Sequence, residues 1–185
     1  MKLKEIAEVK TGLVLSRKKG CIQTQKLLTL ASIDAVGKIN RQALDVFAND
    51  GTIDKNYYTQ VQDIVMRLTN SYTAVYIDES NAGIIIPSNF VKIQITDERF
   101  LAEYVKLCLN SPYGKEQIKK EERGSVIVAI TASAIRELDI PLLSIQKQKQ
   151  LIDYMNHYYT ELELLDNIKK KQIELYEETL YHIIK

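Results

Sequence analysis

Between Leu142 and Lys185 the sequence contains neither proline nor glycine, and that stretch limits the possible fold more than any other feature. With Leu151 as origin, Met155, Tyr158, Leu162, Leu165, Ile173, Tyr176, Leu180 and Ile183 fall on one stripe in steps of three or four residues. This is the spacing of one side of an α-helix. Lys169 is the single position of the stripe that is not apolar. Ser144 is placed to serve as the N-cap, and Gln, Lys and Glu fill the other faces. A helix over residues 146–184 extends roughly 58 Å at ~1.5 Å per residue. The rest of the chain, with a radius of gyration near ~15 Å by the usual scaling, cannot cover such a rod. A second helix packed on the stripe is therefore expected, the alternative being a helix that breaks and folds back on its own domain. In an antiparallel homodimer the two copies of Lys169 approach the twofold axis, near Asp166 of the partner subunit. A polar group there would fix the register.

The remainder reads as mixed α and β. Alternating or β-branched runs at Lys26–Ile33, Gln62–Leu68, Thr73–Ile77 and Gly83–Ile95 are expected strands, separated by Asp, Asn, Gly and Ser. Pro87 divides the last of them. From Asp97, a candidate cap, the period changes to that of a helix carrying Phe100, Leu101, Tyr104, Val105, Leu107 and Cys108, ending at "NSPYG". A short helix over "KEQIKKEER" and a strand over "SVIVAIT" follow. The expectation is an α+β protein with a globular domain over 1–143 and a long helix over 144–185 that forms an antiparallel coiled coil in a dimer.

Charge bounds the partners. The formal net charge is +1. The terminal segment from Gln146 carries six Lys/Arg against seven Asp/Glu, which leaves the globular part at +2. Neither is a basic polyelectrolyte, so contact with nucleic acid would need a local patch or a basic partner. Cys21 and Cys108 lie far apart without Cys or His at ligand spacing, and His157 and His182 are too distant to share a metal. No metal or cofactor is expected. The opening "MKLKEIAEVK" has no apolar core of a signal peptide and no window is apolar enough to span a bilayer, so a cytoplasmic protein without membrane contact is expected.

Signatures of catalysis are missing from the sequence: no phosphate-binding glycine loop, dinucleotide fingerprint, zinc-protease helix or nucleophile elbow occurs. "SPYG" at Ser111–Gly114 lacks the second proline of the amino-methyltransferase motif it faintly echoes, and reads as a turn. A non-catalytic role is expected. Three polar clusters suit an anionic surface. They are Ser16, Arg17, Lys18 and Lys19; Arg67, Asn70, Ser71 and Tyr72 at a strand-to-strand turn; and Arg123 with Ser125 ahead of a strand. Arg, Asn and Ser donate to base edges, while Lys and backbone amides hold phosphates. Charged surface loops are the competing explanation for each.

The order of these features resembles the specificity (S) subunits of type I restriction-modification systems. "LKEIAEVKTGL" is similar to the opening of their target recognition domains, "VQDIVMRL" to their Gly-Asp-Ile strand, and "IIIPSNFVKIQI" to their "ilpsxf" segment. "FLAEYVKLCLNSPYGKEQI" and "GSVIVAITASAIRELDIPLLSIQKQKQLI" resemble the two blocks that follow. Gln62 stands where glycine usually precedes Asp-Ile, and Leu143 replaces a second proline after Pro141; both bear on turn geometry. A full S subunit has two recognition domains and two long helices that lie antiparallel as a ruler between them. This chain has one of each and resembles a half-sized form. The resemblance implies a subunit that reads double-stranded DNA and directs methyltransferase subunits, with a restriction subunit as a further candidate partner. It also implies a homodimer through the terminal helix and a bipartite target with identical, inverted halves. A scaffold that binds or sequesters methyltransferase subunits without reading DNA is the alternative.

Overall fold

The computed structural model describes residues 1–15, 23–49, 51–122 and 129–185, and only the backbone of residues 70, 121 and 122. The chain divides into two units, Met1–Ile145 and Gln146–Lys185. The cluster Ser16, Arg17, Lys18 and Lys19, the thiol of Cys21, the pair Arg123 and Ser125, and most of the strand expected over "SVIVAIT" lie outside the described residues.

The first unit is built on four antiparallel strands: β1 (Ala7–Thr11), β4 (Ile64–Arg67), β5 (Ala74–Tyr76) and β6 (Phe90–Ile95), in the spatial order β1-β6-β4-β5. Register explains the alternation. Val65 lies opposite Val75 on one side and Lys92 on the other, while Met66 faces Ala74 and Val91. Successive side chains therefore go to opposite faces. One face presents Val65, Val75 and Phe90 to a core completed by Leu28, Ile33, Ile84 and Ile86 from irregular segments. Helix α2 (Ala102–Asn110) packs along β4 and β5. Both sheet faces are covered, which is why β4 and β6 read as nearly continuous apolar runs.

Irregular chain can cover a sheet only if its backbone groups find partners. Ile85 donates to Lys26, Leu28 donates to Ile85, and Leu13 donates to Ile86. This stitching demands close approach at Gly12, where an added Cβ would lie 2.2 Å from the Pro87 carbonyl oxygen. Gly12 is thus the only residue type that fits.

One polar network sits within this packing. Lys92 is 2% exposed, and its ammonium donates to Asp63 Oδ2 at 2.9 Å and to the Tyr58 carbonyl at 3.0 Å. Asp63 also accepts from the Gln60 backbone and from Gln94 Nε2. Every charge in the pair is compensated, the condition for burying it. Immediately before Asp63, Gln62 adopts φ +71°, a left-handed conformation that favours glycine.

Several expectations need correction. The run Lys26–Ile33 is not one strand: β2 (Gln23–Leu27) ends early, and Leu30–Ser32 forms a 3-10 turn locked by reciprocal bonds between Thr29 and Ser32. β2 pairs with β3 (Asp45–Asn49), a strand the pattern missed, and so forms a separate two-stranded ribbon. Asp97 does not cap α2. Its carboxylate is held by Arg99, and the helix begins after Leu101. α2 ends at "NSPYG" as expected, but the next helix starts earlier than Lys115, since α3 (Pro112–Glu122) begins at the proline of that stretch. Short helices α1 (Leu3–Ile6) and α4 (Ala132–Arg136) complete the unit.

The second unit is a single helix, α5, Ile145–Ile184. Its 40 residues span about 60 Å. No helix of the described residues is long and apolar enough to cross a membrane.

Candidate nucleic-acid interface

The corner joining β4 to β5 gathers most of the described polar candidates. Arg67 closes β4, opposite Phe90 in the ladder, and its backbone N–H donates to Thr73 across the corner. Between them Ser71 and Tyr72 adopt φ +51° and +44°. Two successive non-glycine residues in this region are held there by their surroundings. Tyr72 is buried at 8% exposure and Thr73 at 2%, whereas Ser71 is exposed. The corner is anchored from inside by a residue with no signal in the sequence. Asn110, at the end of α2, accepts from the Ala74 N–H at 2.8 Å and donates to the Ala74 carbonyl at 2.7 Å.

Lys115 supplies the second anchor. Its ammonium donates to the carbonyls of Ser71 and Tyr72. The lysine reaches them because α3 turns tightly against the end of α2. The Ser111 hydroxyl donates to the Cys108 carbonyl, and the Gly114 N–H donates back to that hydroxyl. A Cβ on Gly114 would meet the Cys108 carbonyl oxygen at 2.3 Å. "SPYG" is therefore a packing corner that delivers Lys115. Burial pushes the Lys115 ammonium down to about 8, with the positive charge of Arg67 adding to the effect.

Arg67 itself is half-buried. Its Nε is inaccessible and has no hydrogen-bond partner among the described residues. Thr69 bridges to Ala129, and the Ile130 N–H donates to the Leu68 carbonyl. The chain from Ala129 to Ile130 thus runs beside the end of β4.

A cavity of about 410 Å³ elsewhere in the unit is lined by Gln62, Tyr76, Phe100, Asp97, Glu98 and Glu103. Burial, then Glu103 and Asp78, pushes the Tyr76 phenol upward. Its carboxylates have the wrong sign for a polyanion. Among the described residues no cluster of three or more His, Cys, Asp or Glu could hold a metal ion.

On α5 the expected stripe is exposed over nearly its whole length, from Leu151 and Tyr158 through Leu162, Leu165, Ile173, Tyr176 and Leu180 to Ile183, with Met155 half-buried. Lys169 lies exposed at its place in that stripe, and Asp166 is paired within the helix to Lys170 at 2.6 Å. Leu164, Ile168, Leu175 and Tyr181 widen the apolar surface beyond the expected stripe.

No family model and no curated protein matches the sequence. Solved structures do. The HsdS subunit from Thermoanaerobacter tengcongensis matches with a TM-score of 0.72 and 15% identity over 92% of this chain and 44% of that one. A chain from a structure describing complex assembly and conformational transition of the type I R-M system matches with a TM-score of 0.71 at 16% identity, over 92% and 44%. The type I restriction-modification S subunit from M. genitalium matches with a TM-score of 0.51 at 16% identity, over 92% and 43%. The fold of this chain is that of S subunits, and it spans about 44% of their length.

Proposed function

We propose that the chain is a DNA-recognition subunit of a type I restriction-modification system. In this reading Met1–Ile145 is the target-reading domain and α5 is the helix that sets its spacing from a second reader. The observation that carries the proposal is the fold likeness over 92% of the chain. At that coverage both the first unit and the long helix take part in the match. Five sequence blocks in the same order resemble the same subunits.

The exposed stripe of α5 supports the rest. Eight exposed apolar side chains along one helix face would be stabilised by burial at roughly 25 cal/mol per Å², and a second copy of the helix supplies a complementary face. An isologous pair places identical readers on opposite half-sites, which gives a bipartite target with inverted halves and an unread spacer. Methyltransferase subunits are the partners that act on the target, and a restriction subunit is a further one. The near-neutral charge fits a reader that contributes discrimination while its partners supply phosphate contacts. It also favours the second reading, a scaffold that holds methyltransferase subunits without touching DNA.

Co-expression with a type I methyltransferase and long-read mapping of methylated bases separates the two. A methylated motif that depends on this chain, lost in Arg67→Ala while the complex still assembles, supports the reader. An assembled complex with no chain-dependent motif supports the scaffold.

A further inference from the structure

The ribbon of β2 and β3 has a fastened back and an open front. Its register sets Gln25 opposite Phe47 and Gln23 opposite Asn49 on one side, and Thr24 opposite Ala48 and Lys26 opposite Val46 on the other. On the back, Asn49 is 3% exposed and its amide donates to Gln25 Oε1 at 3.0 Å, where the Tyr58 hydroxyl also donates. The Tyr58 carbonyl in turn holds the buried Lys92 ammonium, so the ribbon is tied to the polar network of the core. On the front, Thr24, Lys26 and Val46 are exposed and Ala48 is half-buried. The edges are less open. Along β2, Ile85 donates to the Lys26 carbonyl and accepts from the Leu28 N–H, and on β3 the Val46 N–H is taken by the Asp45 carboxylate. A partner adding a strand to either edge finds these groups occupied. What remains is a strip of about 17 Å by ~10 Å, small against the ~800 Å² per partner of a stable protein interface. Its only charge is the Lys26 ammonium, and Asp45, the one acid of the ribbon, falls on the other side by register.

We propose that the front of this ribbon enters the major groove of the DNA target, where Lys26 takes the N7 and O6 of a guanine and Val46 packs on the 5-methyl group of a thymine at the neighbouring step. A two-stranded ribbon is one of the two elements that this groove, ~12 Å wide, admits. Side chains directly opposite in the ladder have Cβ atoms about 5 Å apart. That is more than one base-pair rise of ~3.4 Å and less than two, so Lys26 and Val46 meet adjacent pairs. Thr24 follows two residues away on the same strand, about 6.6 Å from Lys26, which matches two base-pair steps and brings its hydroxyl to a further base edge. A cation flanked by methyl-bearing side chains, with no acid on the strip, complements a groove whose floor presents acceptors and thymine methyl groups. The assignment rests on the DNA-recognition function proposed above. It adds a reading element that none of the three expected polar clusters contains.

Methylation mapping of DNA from cells expressing the full chain with a type I methyltransferase tests the assignment, with Lys26→Ala, Lys26→Arg and Val46→Ser as the variants. Both positions are exposed, and co-purification with the methyltransferase checks that each variant folds and assembles. Each half of the wild-type motif is expected to contain a G·C pair beside a T·A pair. In Lys26→Ala the guanine position relaxes, its discrimination against other bases falling about tenfold to a hundredfold, while Lys26→Arg keeps guanine. Val46→Ser relaxes the adjacent thymine position and leaves the guanine in place. A motif unchanged in Lys26→Ala or in Val46→Ser overturns the ribbon as the reader of that step and leaves the DNA-recognition function standing. A uniform fall in methylation across all sequences in Lys26→Ala makes Lys26 a phosphate contact and overturns the assignment equally. A wild-type complex that assembles and directs no motif contradicts the DNA-recognition function, and the role of the ribbon with it.

Discussion

Replacing Asp63 by asparagine should be among the most damaging conservative changes in this chain. The Lys92 ammonium is 2% exposed and has two described partners, the carboxylate at 2.9 Å and the Tyr58 carbonyl at 3.0 Å. Asparagine preserves shape and removes the compensating charge, leaving a buried cation against a neutral group. Breaking a buried pair from one side costs about 3–5 kcal/mol, a large share of the ~5–15 kcal/mol that holds a domain folded. The reverse change should be milder. In Lys92→Met the Asp63 carboxylate keeps the Gln60 N–H and Gln94 Nε2 as donors, and methionine fills a similar volume, so about 1–3 kcal/mol is expected. In the double variant no uncompensated cation remains, and its cost should lie close to that of Lys92→Met alone. The coupling between the two sites then equals the Asp63→Asn cost, about 3–5 kcal/mol. Urea unfolding followed by far-ultraviolet circular dichroism at fixed protein concentration measures all four corners of the cycle. Asp63→Asn costing under about 1 kcal/mol, or single costs that simply add, would refute the argument that the pair is mutually compensated.

Other changes give sharper local tests. Gln62→Gly should stabilise the first unit by about 0.5–1 kcal/mol, because relief of the left-handed penalty exceeds the entropy that glycine adds to the unfolded chain; a lower urea midpoint would contradict this. Gly114→Ala should cost about 2–4 kcal/mol, since its Cβ would meet backbone carbonyls that cannot swing aside, and the same urea titration reads it. Lys169→Glu should weaken self-association by about tenfold, ~1.4 kcal/mol, in analytical ultracentrifugation. An equally stable dimer removes the register role given to Lys169.

The parts legible in the sequence were those whose period follows from their surroundings. β4 and β6 are covered on both faces, so their apolar runs stand out, and the stripe of α5 needs nothing beyond helix geometry. β3 was illegible because a two-stranded ribbon buries little: Val46 is 54% exposed, and no apolar alternation is needed to hold it. The break in Lys26–Ile33 came from Thr29 and Ser32 bonding to each other's backbone, a local competition that an apolar count does not register. Asp97 misled for a related reason, because Arg99 two residues later claims its carboxylate. Within the candidate interface, Arg67 and Ser71 were visible as polar residues at an expected turn. Lys115 was not, since a lysine on an amphipathic helix looks like a solvated one until Gly114 and Ser111 bend it onto the turn. Gln62 is the opposite case. Its departure from the family's glycine pointed to turn geometry, and the left-handed backbone is found there.

The most direct measurement of the central claim is long-read methylation mapping of DNA from cells that express this chain with a type I methyltransferase, compared with cells that express the methyltransferase alone. The account predicts one new methylated motif made of two inverted, identical halves around an unread spacer, present only with the chain. A complex that assembles and yields no chain-dependent motif would contradict it.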